Sequence, residues 1–253
     1  MRIISLVPEA TEILQALGLG DQTAALPVDT DATPETLADA MRTARPDLIF
    51  ASESAAEGGV PRSRVRRAVA GIRPRPPVYA LEPHTLGDIL SDIKTVGDAT
   101  GRQQHARALI EALRARIDEV TLRSAHALAE RPPRRVACLT GTDPPVAAGW
   151  WLAELVGLAG GLDVLGGIGR PARAVTPAEV RAARPELVVW VGGERPSSTV
   201  IVHAVSGAIG EGRIFPGPGA ITLLEQFAAR IHHDRDENLA ILSPHGTIVH
   251  PNG

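Results

Sequence analysis

The sequence predicts an α/β protein of two Rossmann-like lobes with parallel sheets, bridged by a long α-helix and holding a ligand cleft between the lobes. Three observations carry that prediction. Short apolar runs alternate with helical stretches in both halves of the chain, the pattern of parallel strands joined by crossover helices. One long helical stretch separates the two alternating regions. Finally, TPETLADAMRTARPDLIFAS, from Thr33, and TPAEVRAARPELVVWVGG, from Thr176, share one construction.

In the first region RIISLV reads as a strand, EATEILQALG as a helix and TAALPV as a short strand. ETLADAMRTA then reads as a helix, DLIFAS as a strand, RSRVRRAVAG as a helix and PVYAL as a strand. From Thr85 to about Glu130 the pattern is helical, with Ile89, Ile93, Val96, Leu109, Leu113, Ile117 and Val120 as its apolar positions. Thr85 is placed as N-cap, Gly97 and Gly101 are points of bending or interruption, and ERPPRR ends the stretch because proline cannot continue a helix. The second region reads as strand RVACLT, helices WLAELVGLAG and PAEVRAAR, strand ELVVWV, helix STVIVHAVSGAI, strand RIF and helix ITLLEQFAARI. The expected organisation is an N-terminal lobe over 1–84, a bridging helix over 85–131 and a C-terminal lobe over 132–253, with an unplaced tail from about residue 232.

In each of the two matching passages a threonine caps a helix and proline takes the first helical position. A short helix then runs into ARP, an acid and a buried strand. The openings of the two regions match as well: strand, polar or proline-containing loop, helix ending in glycine.

With 44% apolar and 22% charged residues, the 253-residue chain can bury a sizeable core. Its 26 basic and 29 acidic residues, net −3, leave no electrostatic footprint for nucleic acid or an anionic membrane surface. Small molecules or proteins are the expected partners. Cys138 is the only cysteine, so one chain can form neither an internal disulfide nor a thiolate metal cluster. Its setting, RRVACLTG, reads as a buried strand carrying an inert thiol. The opening MRIISLVPEATE lacks a secretory leader pattern, and no segment reaches the ~20 apolar residues of a membrane span. The expected location is cytoplasmic as given, and extracytoplasmic if a leader was removed.

Ligands of open parallel sheets bind beyond the carboxyl ends of the strands. The loops Val7 to Glu12 and Gly141 to Trp151 are therefore expected to line the cleft. Trp150 and Trp151 point about 100° apart on a helix and cannot share a face. Trp151 aligns with Leu155, Leu158 and Ala159 as a core stripe or partial wall, whereas Trp150, beside Gly149, is the better cleft aromatic. Glu9 and Glu12 open the first helix, where carboxylates meet its dipole favourably. Glu9 doubles as a ligand contact or general base, a role that Glu53, past a strand end, and Asp143 could also fill.

His84, in LEPHTL, is read as a hinge residue, with a base or axial ligand as the alternative. His232, His233, Asp234 and Asp236 resemble a metal cluster on paper, but adjacent histidines converge poorly, and the reading is a solvated helix end without a metal. GGIGRPAR, Gly166 to Arg173, is rich in glycine but lacks the strand-to-helix context of a dinucleotide site, leaving Arg170 and Arg173 as contacts for an anionic ligand. No GxSxG, HExxH or Walker pattern occurs.

RIISLVPEATEILQALGLGD, ARPDLIFAS, YALEPHTLGDILSDIKTVGDATG, DPPVAAGWWLAELVGLAGG and the late PGPG resemble the helical-backbone (class III) substrate-binding proteins, most of all their vitamin B12-binding branch. The resemblance runs to about residue 231. It implies two lobes bridged by a rigid helix, with cobalamin or another corrinoid, haem or a metal chelate between them. By position it implies ligand-facing loops at Pro8 to Thr11, with Glu9 and Ala10, at Ala51 to Glu53, with Ser52, and at Asp143 to Trp151, with Pro144, Pro145 and Trp150. For an ABC permease partner it implies docking acids at Glu57 and Glu179.

The chain also departs from that family. The segment after the second strand is shortened to LPVDTDATPE, Ser52 stands where a cleft tryptophan is usual, and the segment before the last helix is reduced to IFPGPG. HHDRDENLAILSPHGTIVHPNG has no counterpart. These losses of aromatic wall imply a smaller or different ligand. Two functions are compatible with the residues: a small-molecule binding protein resembling the cobalamin-binding proteins of ABC transporters, and a cytosolic enzyme reusing the cleft with Glu9, Glu53 or Asp143 as acid or base.

Overall fold

The computed structural model describes residues 1–25, 32–53, 60–141, 144–191, 203–204, 216–232, 241–242 and 248–249. The chain divides into two compact units, Met1–Ala112 with Phe215–Pro218, and Leu113–Ile214 with Gly219–Gly253.

The first unit alternates β1 (Ile3–Ser5), α1 (Pro8–Ala16), β2 (Thr23–Ala25), α2 (Pro34–Ala44), β3 (Leu48–Ser52), α3 (Arg62–Ala68), β4 (Val78–Leu81) and α4 (Leu86–Thr100). Its sheet has the order β2-β1-β3-β4, and every pairing is parallel. All five residues of β3 are buried, as expected where helices cover both faces of a parallel sheet. Ile4, Ile49 and Ala51 pack with Leu37 and Met41 of α2 and Val65 of α3.

The helical stretch expected over 85–131 is two helices, α4 and α5 (Gln103–Glu130). Thr85 caps α4 in a capping box with Asp88, and Gly101 ends it in the left-handed conformation at φ 73°. A Cβ on Gly97 would lie 2.4 Å from the Ala106 Cβ. Glycine at 97 lets the first turn of α5 close onto α4, and glycine at 101 makes the corner. The division between the units falls inside α5.

The second unit contains β5 (Arg134–Thr140), β6 (Val146–Ala147), α6 (Trp150–Leu158), β7 (Gly161–Asp163), β8 (Arg173–Ala174), α7 (Pro177–Ala182), β9 (Leu187–Trp190), β10 (His203–Ala204) and α8 (Ala220–His232). In the tail, β11 (Ile241–Leu242) pairs antiparallel with β12 (Ile248–Val249). The main sheet runs β10-β9-β5-β6-β8, with β7 also on β5. Its β7, β5, β9 and β10 pairings are parallel, whereas β6 is antiparallel to both β5 and β8.

Three of these strands, β6 to β8, have no counterpart in the sequence reading, because two or three residues are too few to show a period. His203 and Ala204 lie in a strand, where a helix was expected over STVIVHAVSGAI. VIVHAV is β-branched and apolar, and a run of that kind carries no period that separates strand from helix. The rest of that segment, and the expected strand at Arg213 to Phe215, lie outside the described residues.

The repeated passage extends to atomic detail. Thr33 and Thr176 each accept a backbone N–H three residues on. Arg45 and Arg184, each preceding proline, are both left-handed at φ 47° and 46°. The Asp47 N–H donates to the Arg2 carbonyl and the Glu186 N–H to the Arg135 carbonyl. In return the Arg2 N–H donates to Asp47 Oδ2 at 2.7 Å and the Arg135 N–H to Glu186 Oε2 at 2.9 Å. Arg2 Nη1 reaches the Ala44 carbonyl, and Arg135 Nη2 reaches that of Ala183. Both guanidinium groups thus meet the carbonyl end of a helix that follows later in the chain, α2 for Arg2 and the helix over Pro177–Ala182, α7, for Arg135.

Candidate functional site

In the first unit, β1, β3 and β4 are parallel and so end on one edge. The chain leaves β1 at Ser5 and enters α1 through Val7, whose φ of −140° is extended, with Pro8 at the start of the helix. The Ser5 hydroxyl donates to the Val7 carbonyl at 2.8 Å, and the Thr11 hydroxyl donates to Ser5 Oγ at 2.8 Å. The Thr11 hydroxyl is thereby used inside the loop it stiffens. Pro8 is half-buried, Glu9 is 7% exposed, and Ala10 is fully buried, so its methyl belongs to the core of the unit.

Ser52 ends β3 and is buried. Its N–H donates to the Val60 carbonyl, and that of Glu53 donates to the Leu81 carbonyl. The Glu53 side chain is exposed and ion-paired with Arg62 at 2.6 Å. Glu12 lies beyond the first turn of α1, so it does not cap that helix. Its carboxylate instead packs against the PGPG segment, where a Cβ on Gly217 would lie 2.1 Å from Glu12 Oε2. This contact explains glycine in that segment and had no signal in the local sequence.

In the second unit the loop after β5 leads through Pro144, exposed, and Pro145, half-buried, into β6. The Pro145 carbonyl accepts from the Val175 N–H at 2.9 Å. Gly149 is the N-cap of α6, and no side chain caps that end. Trp150 follows at φ 51°, left-handed, which for a bulky residue is a conformational outlier. It is half-buried, whereas Trp151 is only 4% exposed. The two tryptophans therefore differ in burial, with Trp151 in the core.

The glycine-rich segment after β7 packs its backbone against Ala148, Gly149 and Trp150. Gly149 and Gly167 form a parallel bridge, and the Trp150 N–H donates to the Arg170 carbonyl at 2.8 Å. Arg173 is exposed and ion-paired with Glu179 at 2.9 Å. Glu179 also closes the α7 capping box. The Thr176 backbone N–H first, then Arg173 and the Thr176 hydroxyl, hold its carboxyl down at about 2.

Glu57 and Asp143 lie outside the described residues, as do His233, Asp234 and Asp236. His84 precedes the Thr85 cap, and its backbone N–H donates to Asp88 Oδ2 at 3.1 Å. His232 Nε2 lies 3.3 Å from Ser124 Oγ. Among the described residues no three His, Cys, Asp or Glu side chains are grouped to hold a metal. Cys138 is fully buried, and burial pushes its thiol well above the ordinary range. A cavity of about 120 Å³ lined by Leu128, Arg131, Arg134, Ile231 and His232 lies at the amino end of β5, away from the Trp150 edge. Among the described residues no helix is long and apolar enough to cross a membrane.

No family model matches the chain. A vitamin B12-binding protein of Vibrio cholerae is 27% identical over 201 residues, covering 74% of this chain and 69% of that protein. A solved periplasmic binding protein from Veillonella parvula superposes with a TM-score of 0.68 at 16% identity, covering 91% of this chain and 90% of that one. The periplasmic vitamin B12-binding protein of Vibrio cholerae gives a TM-score of 0.63 at 21% identity, covering 91% and 96%. These solved proteins are periplasmic, so the expectation of a cytoplasmic location finds no support in them. In sequence the chain resembles the vitamin B12-binding branch of the helical-backbone substrate-binding proteins, and its α/β fold is that of the periplasmic binding proteins.

Proposed function

We propose that this chain is an extracytoplasmic binding protein that holds a corrinoid, or a bulky small molecule of comparable shape, and delivers it to an ABC permease. The observation that carries the reading is Trp150, a half-buried indole held in a left-handed backbone at the N-terminus of α6. Strained, non-glycine backbone of this kind concentrates at ligand-binding positions. The flat apolar face of an indole suits a planar macrocycle, and the sequence relative is a vitamin B12-binding protein.

The other described aromatics are committed elsewhere. Trp151, Trp190, Phe50 and Phe227 are buried, and Tyr79 lies on Phe50 with ring centroids 5.9 Å apart. With Trp150 as the main aromatic contact, Pro8, Glu9, Thr11, Ser52 and Glu53 supply the polar and backbone edge of the first unit, and Pro144, Pro145 and Arg173 that of the second. By the sequence resemblance Asp143 is assigned as a further ligand contact, and Glu57 and Glu179 as the acids that engage a permease.

The test is titration with cyanocobalamin, hydroxocobalamin and hemin, read by visible absorbance and tryptophan fluorescence. A saturable change is expected, and Trp150→Ala weakens it by about tenfold or more, as loss of a central aromatic contact does. Absence of any response at tens of micromolar, roughly −6 kcal/mol of binding, overturns the corrinoid reading.

A further inference from the structure

We propose that residues 163–172 are a positioning device for Trp150, with Asp163 setting the turn that holds the indole in place before any ligand arrives. This inference rests on the reading of Trp150 as a ligand contact. It assigns the glycine-rich GGIGR segment a task other than anion binding.

The device is built from the end of β7 outward. Asp163 Oδ1 accepts the N–H groups of Leu165 and Gly166, each at 3.1 Å, and bends the chain directly after the strand. Such an aspartate turn replaces backbone pairing with a side-chain acceptor. The turn lies flat on the strand of chain leading to Trp150: a Cβ on Gly166 would sit 1.9 Å from the Ala148 carbonyl oxygen. Gly149 is equally confined, with a hypothetical Cβ 2.4 Å from both the Arg170 oxygen and the Ala172 nitrogen. Neither position admits a side chain.

Two hydrogen bonds then close the device. The Arg170 N–H donates to the Gly167 carbonyl at 3.1 Å, and the Trp150 N–H donates to the Arg170 carbonyl at 2.8 Å. Trp150 is thus held through its own backbone by the turn, while the buried Trp151 anchors the next residue. A left-handed tryptophan persists only where its surroundings over-determine it, and these contacts supply that constraint. Fixing the indole in advance removes ordering cost from binding and limits the site to ligands that accept this one orientation.

Asp163→Ala removes the acceptor, whereas Asp163→Asn retains an amide oxygen for the same two N–H groups. Each variant is compared with its own Trp150→Phe partner in the absence of ligand, so that the Trp150 contribution to emission wavelength, acrylamide quenching and near-ultraviolet dichroism is isolated. In Asp163→Ala the Trp150 component shifts to the red and its quenching constant rises about twofold, cyanocobalamin affinity falls about tenfold, and Asp163→Asn restores both, as expected when preorganisation is lost and regained. If Asp163→Ala does not fold, Arg170→Gly loosens the same turn at an exposed position, and the same changes are expected. An unchanged Trp150 signal in the folded variant overturns the positioning role, even where the wild-type protein binds cobalamin. A changed signal in a protein that binds no cobalamin supports positioning and rejects the corrinoid reading instead.

Discussion

Asp92, on α4, has its Oδ2 atom buried without a hydrogen-bond partner. Burial first, then Glu9 and Asp88, push its carboxyl up to about 7. An acid with a raised native pKa holds more protons in the folded chain than in the unfolded one between the two values. Stability therefore falls as pH rises from about 4 toward about 7, and the penalty is complete above the native value. Asp92→Asn is expected to remove that slope and to stabilise the protein at pH 8 by roughly 1–3 kcal/mol, with little effect at pH 4. Urea unfolding at the two pH values measures it, and equal changes at both would remove the titration argument. The two tryptophans show how far single residues were legible. The burial of Trp151 was readable from its alignment with Leu155 and Ala159. The left-handed backbone of Trp150 was not, because it comes from Gly149, Gly166 and Arg170 meeting in space.

At the scale of elements, caps and corners are local chemistry, and most were visible. Thr33 accepts the Thr36 N–H at 3.2 Å ahead of Pro34, and Thr33→Ala is expected to cost about 1 kcal/mol in chemical denaturation. In α7, the bonds from Thr176 and Arg173 that lower Glu179 stabilise the ionised form. Their contribution is present above the ordinary carboxyl pKa and is lost as pH falls through about 2. Glu179→Gln should therefore narrow the stability difference between pH 7 and pH 2, as measured by chemical denaturation at the two pH values. Gly97 is a different case, since its need for glycine arises from α5 folding back on α4. Gly97→Leu is expected to destabilise by roughly 1–3 kcal/mol through overpacking against Ala106, read by thermal unfolding. The sequence marked a possible break at Gly97 and Gly101, but not the packing that makes it sharp. Strands β6, β7 and β8 were invisible for the complementary reason: they are strands because β5 and each other offer edges, not because two or three residues prefer to be extended.

For the whole molecule, a ligand that binds only the folded chain raises its stability by mass action. Cyanocobalamin at a hundredfold excess over its dissociation constant should add about 2.7 kcal/mol and raise the unfolding midpoint, while Trp150→Ala, binding about tenfold more weakly, keeps about 1.4 kcal/mol of that increment at the same concentration. No shift with the wild-type protein would argue against the proposed ligand. Alternation of strands and helices, the paired construction and the caps were set by the sequence alone, because periodicity and capping act over a few residues. The Arg2–Asp47 and Arg135–Glu186 pairs show how faithfully that repeat is carried into the folded chain. The mixed edge of the second sheet, Glu12 against Gly217, and the clamp on Trp150 were decided only by tertiary structure. Each joins residues through close backbone approach between segments, and a contact of that kind leaves no periodic trace in the chain.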